Sequence, residues 1–109
     1  MDGKTTIYQL KGIVRDFIDE RDWDQFHNAK DLAIGVSTEA GELLDIFRFK
    51  TQDQIDEMLS SREKRIEIGN ELADVLYFVL NFSYKFNFDL SEELKRKLLL
   101  NASKYPKEK

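Results

Sequence analysis

The stretch IGNELADVLYFVLNF, residues 68–82, decides the fold class of this chain. Its second half, VLYFVLNF, is apolar on nearly every face of a helix, and a helix that is hydrophobic all round needs cover on all sides. A chain of 109 residues barely supplies that cover from its own other helices. The stretch therefore predicts a central helix in a bundle that is completed by self-association into a dimer or tetramer.

The remaining sequence is also typical of helices. Pro106 is the only proline, and no alternation of apolar and polar residues between turn signals indicates a strand. The predicted helices run from Thr5 or Thr6 to about Arg21, from about Asn28 to about Lys50, from Ser61 to Lys85 or Phe86, and from a cap at Asp89 to about Ser103. Residues 51–61, TQDQIDEMLSS, fit either a short helix or a loop with one helical turn. The expected fold is an all-α, four- to five-helix bundle, which can house a site between facing helices.

Length, charge and composition exclude several classes of protein. The chain is long enough for one domain, residues 1–109, and its net charge of -4 argues against a general nucleic-acid binder, which needs a basic surface. It has no cysteine, so neither a disulfide framework nor a thiolate metal site is expected. The polar start and the shortness of the longest apolar run predict a soluble, cytoplasmic protein without a membrane span.

Two pairs of acids interrupt the apolar pattern. Glu39 and Glu42 lie three residues apart on the second predicted helix, and Glu71 and Asp74 do the same on the long one. Residues with this spacing share one face of a helix, so side-by-side packing would bring four carboxylates to one level. Carboxylates that close repel one another unless a cation lies between them, and Mg²⁺ prefers such oxygen ligands. The alternative is that all four are ordinary solvated helix positions.

The same two faces carry further polar and aromatic side chains. One face of the long helix holds Glu67, Asn70, Glu71, Asp74, Phe78, Asn81 and Lys85. The matching face of the second helix holds Asp31, Gly35, Thr38, Glu39, Glu42 and Phe49. An amide, a base and aromatic rings are therefore expected near the acids. A carboxylate-bridged di-iron site is excluded, because it needs Glu-x-x-His motifs and the only histidine, His27, lies outside any such motif.

Together these motifs resemble the signature of the MazG-like all-α nucleotide pyrophosphohydrolases, E-x-x-E followed by E-x-x-D. The sequence has EAGE at residues 39–42 and ELAD at residues 71–74, with 28 residues between them. Residues 21–50, RDWDQFHNAKDLAIGVSTEAGELLDIFRFK, and residues 101–106, NASKYP, are similar to the dCTP pyrophosphatase branch of that family. The resemblance implies Mg²⁺-dependent hydrolysis of a nucleoside triphosphate, with dCTP or a related pyrimidine as the expected substrate, to the monophosphate and pyrophosphate.

The resemblance also implies roles for individual residues of this sequence. The four acids, Glu39, Glu42, Glu71 and Asp74, would hold the Mg²⁺ ions and carry the catalysis. The nucleotide would contact His27, Phe49, Phe78, Asn81, Lys85, Lys104 and Tyr105. An aromatic side chain after the first motif stacks on the nucleobase in relatives, and Phe49 occupies that position here.

Several of these residues have an ordinary structural alternative. His27 could be a loop histidine satisfied by a backbone carbonyl, and Lys85 could be a solvated helix end instead of a phosphate contact. Asn81 would bind sugar or phosphate, or else satisfy a neighbouring backbone group. Lys104 and Tyr105 would close the site from a neighbouring subunit, or else form an ordinary helix end.

Two classes of function follow from the sequence. The first is the pyrophosphohydrolase, and the second is a non-catalytic, helical, oligomeric interaction module whose acids form a structural cation site. Phosphoribosyl-ATP pyrophosphatase would share the fold and reaction of the first, but WDQFH at residues 23–27 and KYP at residues 104–106 point away from it. The preferred base and sugar, the choice between dimer and tetramer, and the number of metals per site stay open.

Overall fold

The computed structural model describes residues 1–107 and consists of five α-helices joined by short connections. The helices are α1 (Ile7–Glu20), α2 (Ala29–Phe47), α3 (Gln52–Ser60), α4 (Arg62–Lys85) and α5 (Leu90–Lys104), and a 3₁₀ turn, Asp24–Phe26, lies between α1 and α2. No strand occurs in residues 1–107, so the predicted all-α fold is confirmed. No helix in this range is both long enough and apolar enough to cross a membrane.

Local hydrogen bonds fix where the helices begin. Thr6, Asn28 and Thr51 each accept a hydrogen bond from the backbone N–H three residues ahead, and the side chain of that residue accepts one from the cap's N–H. Such reciprocal caps satisfy N–H groups that have no partner inside the helix. The cap at Thr51 makes residues 52–60 a helix and not a loop. At Asp89 only half of the predicted box forms, through the N–H of Glu92 at 3.0 Å.

α4 is the central helix, and α1, α2 and α3 pack against it. α2 and α4 run antiparallel, since Lys85 reaches the backbone of His27 just before α2, while Glu71 lies beside Glu42 towards the end of α2. The buried apolar side chains are Ile18, Leu32, Ile68 and Leu80. Each contributes about 1.5–3 kcal/mol to stability by leaving water. They come from α1, α2 and α4, so the core lies where α1 and α2 pack against α4.

Gly35 lets α2 and α4 approach each other closely. The ring of Phe78 lies directly over Gly35, and a Cβ atom placed on this glycine would lie 2.8 Å from Cγ of the ring. Real Cβ atoms essentially never make contacts that short, so any side chain at residue 35 would displace Phe78. The contact lies one turn from Glu39 on α2 and one turn from Asp74 on α4, and it therefore sets the spacing of the helices at the acids.

α2 ends about three residues earlier than predicted. Its last residue is Phe47 instead of about Lys50, and Phe49 has a φ of 66°. A right-handed helix cannot continue through a residue with positive φ, so the chain turns here towards the cap of α3. The predicted position of Phe49 on the helical face that carries Glu39 and Glu42 is therefore wrong.

Many large apolar side chains of the single chain stay exposed. On α5 more than half of the surface is accessible for Leu94, Leu98, Leu99 and Leu100. On α4 Leu72 and Leu76 are also exposed, although their helix is the central one. The apolar surface of α4 is therefore not covered on all sides by its own chain.

Replacing Gly35 with alanine should destabilise the protein by about 1–3 kcal/mol, because the new methyl group overlaps the Phe78 ring. Gly41 on the same helix is the matched control, since a Cβ there meets nothing within 4 Å. Gly41→Ala should stabilise the helix by up to about 1 kcal/mol. Denaturant unfolding at one protein concentration measures both changes. Equal free energies of unfolding for the two variants would show that Phe78 does not press on residue 35.

Candidate cation site between α2 and α4

Three carboxylates converge where α2 and α4 face each other. Glu39 and Glu42 come from α2 and Glu71 from α4, and one carboxylate oxygen of each lies within 4.8 Å of the others. Asp74 follows on the same face of α4, and its charge acts on both Glu39 and Glu71. We refer to these four residues as the acid cluster. The antiparallel packing of two helices thus brings together the acids of both motifs.

The acid cluster lies in an environment that disfavours negative charge. Oε2 of Glu39 and Oε2 of Glu71 are buried and have no hydrogen-bond partner in residues 1–107. Burial raises the pKa of both carboxyls above the usual value of 4.5, and the neighbouring Glu42 raises them further. No lysine or arginine of the described chain forms an ion pair with any member of the cluster. The cluster therefore lacks a positive counterpart of its own.

A divalent cation fits this arrangement. It would satisfy the two unpartnered oxygens of Glu39 and Glu71 and offset the repulsion among the carboxylates. The donors that converge here are all carboxylate oxygens, the ligands preferred by hard cations such as Mg²⁺, Ca²⁺ and Mn²⁺. The acid cluster is therefore a candidate site for one or more hard divalent cations.

A cavity of about 650 Å³ with a mixed polar and apolar lining lies about one helical turn from the acid cluster. Its lining residues are Asp45, Ile46, Lys50, Gln54, Glu57, Met58, Ser61, Lys64 and Glu67. Ile46 lies one turn after Glu42 and Glu67 one turn before Glu71, so the cavity continues the contact between α2 and α4 past the acids. Its volume is in the range of small-molecule sites.

Two lysines of this cavity were not predicted as site residues. Lys50 and Lys64 bring positive charge to a wall that otherwise carries acids. The Lys64 ammonium lies 3.0 Å from the carboxylate of Glu67, which holds its side chain near the cavity. The sequence contains one signal for this placement, because Lys64 lies two helical turns before Glu71 and hence on the same face of α4.

Beyond Asp74, the face of α4 that carries the acids points into the protein interior. Phe78 packs on Gly35 and meets the ring of Tyr77 edge-on, with centroids 5.1 Å apart. Asn81 is 1% exposed, and neither its amide nitrogen nor its oxygen has a hydrogen-bond partner in residues 1–107. The alternative in which Asn81 satisfies a neighbouring backbone group is therefore wrong.

Lys85 anchors the loop that precedes α2. Its ammonium group donates hydrogen bonds to the backbone carbonyls of Asp24, at 2.9 Å, and of His27, and it lies 3.4 Å from the Asp24 carboxylate. Arg15 binds the same carboxylate at 2.9 Å and is the main reason that the pKa of Asp24 is lowered. Lys85 is therefore part of a network within the chain and not a solvated helix end.

This network lies at the opposite end of the α2–α4 contact from the acid cluster. Lys85 follows Asp74 by eleven residues, which corresponds to about 16 Å along the helix axis. Nδ1 of His27 is buried there with no partner in residues 1–107, so a backbone carbonyl does not satisfy this atom. Lys85, which was predicted to contact phosphate, therefore lies at the opposite end of the α2–α4 packing from the acids.

The remaining predicted site residues lie on the surface of the single chain. Phe49 is 91% exposed, with the guanidinium of Arg48 4.7 Å from its ring centroid. Lys104 and Tyr105 are both exposed at the end of α5, with the ammonium 5.4 Å from the ring centroid. Within residues 1–107, no hydrogen bond or ion pair joins these residues to the acid cluster.

The whole helical arrangement has a counterpart among solved structures. The chain is 37% identical to a pyrophosphatase from Archaeoglobus fulgidus DSM 4304, with a TM-score of 0.84 and 93% of each chain covered. This chain belongs to the MazG-like nucleotide pyrophosphohydrolase family. The resemblance read from the two acid motifs is therefore confirmed.

Relatives in animals are named after one branch of the family. The chain is 30% identical over 101 residues to dCTP pyrophosphatase 1 of Homo sapiens and 28% identical to that of Bos taurus. Each comparison covers 93% of this chain, which spans about three fifths of the length of these relatives. No protein-family model matches the chain.

In the metal-free protein, the acid cluster should make stability fall as the pH rises above about 4.5. The pKa values of Glu39 and Glu71 are raised by folding, so the folded state binds more protons than the unfolded state between the two pKa values of each group. The free energy of unfolding then decreases with rising pH in that window. Asp24, whose pKa is lowered, acts in the opposite sense and only near or below its usual 3.8.

Thermal unfolding in EDTA between about pH 4.5 and 7.5 measures this effect as the difference between the wild type and Glu39→Gln. The wild type should lose stability relative to the variant as the pH rises, because the variant cannot ionise at this position. Added Mg²⁺ should restore the stability of the wild type at the upper pH more than that of the variant. Parallel curves for the two proteins would contradict the electrostatic account of the cluster.

Proposed function

We propose that this protein hydrolyses a nucleoside triphosphate to the monophosphate and pyrophosphate with Mg²⁺ held by the acid cluster. One observation carries the proposal: the acids of both motifs converge between α2 and α4, and two of their oxygens lack a partner in residues 1–107. The family of the chain and its pyrophosphatase relative support the same reaction. We propose dCTP or a related pyrimidine deoxynucleotide as substrate, because the animal relatives are named dCTP pyrophosphatase 1.

The residues of the site have separate roles in the proposed reaction. Mg²⁺ at the carboxylates would neutralise phosphate charge and make a water molecule a better nucleophile. The oxygen that bridges the α- and β-phosphates is bonded to two phosphorus atoms, and hydrolysis breaks one of these two bonds. The water oxygen bonds to the phosphorus that is attacked, and the other phosphate group leaves with the bridging oxygen. We assign the proton of the attacking water to Glu42, which lies beside both Glu39 and Glu71 and is more exposed than either.

The cavity beside the acid cluster gives room to the phosphate chain. Its volume of about 650 Å³ supports this assignment, and so do its lining residues Ile46 and Glu67, which lie one helical turn from Glu42 and Glu71. Lys50 and Lys64 would contact the terminal phosphates and, together with Mg²⁺, neutralise their negative charge. The pyrophosphate product would then leave through this cavity, on the side of the acids away from Lys85.

A second copy of the chain would complete the site. Phe49, Lys104 and Tyr105 are exposed, and within residues 1–107 none of them forms an ion pair with an acid of the cluster. The exposed leucines of α5 give a surface on which another copy can pack. We therefore propose a homodimer or homotetramer, in which Phe49 stacks on a base and Lys104 and Tyr105 close a neighbouring site. The single domain over residues 1–109 and the cytoplasmic location stay predictions from the sequence.

The alternative function is a non-catalytic interaction module. The exposed apolar surface of α5 favours an interaction role, and the acid cluster would then hold a structural cation. Binding of Mg²⁺ to folded protein without turnover of any nucleotide would distinguish this function from the enzyme.

The purified protein should release pyrophosphate from dCTP with Mg²⁺ and not with EDTA. Glu71→Gln should lower kcat/KM by about 100-fold, because the change keeps the side-chain shape and removes a charged ligand. Glu63→Gln is the matched control, as Glu63 is an exposed acid in the first turn of the same helix. A chromatographic assay of a panel of NTPs and dNTPs measures the reaction and ranks the bases. Full activity of Glu71→Gln, or turnover in EDTA, would refute the role of the cluster.

The wild type should have the mass of a dimer or tetramer in size-exclusion chromatography with light scattering. Leu99→Glu should shift it to a smaller species, because Leu99 is 74% exposed in the single chain and a buried charge opposes association. Ser91→Glu, at an exposed position of the first turn of α5, is the control and should leave the mass unchanged. A monomeric wild type, or an unchanged mass for Leu99→Glu, would exclude this surface as the interface.

A further inference from the structure

Asn81 is a buried amide that residues 1–107 leave without any hydrogen bond. The structure buries two polar side chains almost completely, Asn81 and Ser83, both on α4. The Ser83 hydroxyl donates to the carbonyl of Leu80 at 2.9 Å, whereas both amide atoms of Asn81 lack a partner in this range. Buried amides nearly always form hydrogen bonds, so a group from outside the described chain is the expected partner of Asn81.

The position of Asn81 matches one end of a nucleotide whose phosphates lie at the acid cluster. It follows Asp74 by seven residues on the same face of α4, or about 10 Å along the axis. A base is separated from its phosphates by the sugar, over a distance of this order. Phe78 lies between Asp74 and Asn81 and presents an aromatic ring along this path.

A second unpartnered polar atom lies at the same end of the α2–α4 contact. Nδ1 of His27 is buried and has no partner in residues 1–107. Lys85, one turn beyond Asn81, holds the backbone carbonyl of His27 and thereby fixes this loop on α4. The unsatisfied polar atoms of this region thus belong to two different elements, α4 and the loop before α2, which Lys85 joins.

We propose that Asn81 reads the hydrogen-bonding edge of the nucleobase. This inference rests on the proposed function, because it takes the phosphates to be at the acid cluster. A primary amide offers a donor and an acceptor side by side, as a pyrimidine does on its base-pairing edge. An amide can rotate to match either cytosine or thymine, so Asn81 selects for the presence of such an edge and not for one pyrimidine over another.

The depth of Asn81 requires a movement on binding. Only 1% of its surface is accessible. Along α4 it lies between Phe78, which packs on Gly35, and Lys85, which holds the loop that contains His27. The base reaches the amide when side chains or the loop in this region move aside.

The test compares ligands with and without a base. Calorimetry with Mg²⁺ measures the Kd of dCMP, dTMP and 2-deoxyribose 5-phosphate for the wild type, Asn81→Leu and the control Ser83→Ala. Asn81→Leu should weaken both nucleotides by about tenfold or more and leave the sugar phosphate unchanged. Its Tm should be equal or higher, because leucine replaces an unsatisfied amide with an apolar group of similar size. Ser83→Ala should keep the wild-type ratio of affinities.

If Asn81→Leu does not fold, Asn81→Ala is used to measure the same ratio of nucleotide affinity to sugar-phosphate affinity. An unchanged ratio between nucleotide and sugar phosphate in a folded Asn81 variant overturns the inference, and so does an equal loss for all three ligands. Pyrophosphate release from dCTP is measured separately for the wild type. Turnover together with an unchanged ratio removes only the role of Asn81. Base-dependent binding without turnover supports Asn81 and refutes the proposed reaction. A wild type that binds none of the three ligands overturns the role of Asn81, and if it also releases no pyrophosphate from dCTP it overturns the reaction as well.

Discussion

The contact of Phe78 with Gly35 is the constraint on which the rest of the structure depends. It fixes how closely α2 and α4 approach each other and which residues face each other along them. In this antiparallel register Glu42 lies beside Glu71 at one end, and Lys85 meets the backbone of His27 at the other. A slip by one helical turn, about 5.4 Å, would separate the two acid motifs. The missing Cβ of one glycine therefore determines whether the acid cluster exists.

The contact between α2 and α4 is also where the protein gives up stability. The buried polar atoms without a partner in residues 1–107 belong to His27, Glu39, Glu71 and Asn81. Each such atom costs about 1–3 kcal/mol, and all of them lie on these two helices or on the loop leading into α2. A sequence selected for stability alone would place apolar side chains there. Their concentration along one contact is typical of a site whose ligand supplies the missing partners.

The helix starts and the meeting of the acid pairs could be predicted because they depend on short-range geometry. A cap such as Asn28 acts on the N–H three residues away, and Glu39 and Glu42 share a face by spacing alone. Phe49 was misplaced because the end of α2 depends on one residue with positive φ, for which the sequence gives no signal. The loop carbonyls that bind Lys85, and the cavity that contains Lys50, arise from tertiary packing that no local pattern contains.

α3 belongs to the chain between the two acid motifs, yet it contributes none of the four acids. Helix packing aligns those acids, so the covalent connection between them needs only to span the gap. α3 instead forms a wall of the cavity through residues such as Gln54 and Glu57. Insertions, deletions and exchanges in this segment can therefore reshape the chamber while the carboxylates keep their geometry. The fold thus separates the acid cluster from a cavity wall that can change in shape and charge without moving the carboxylates.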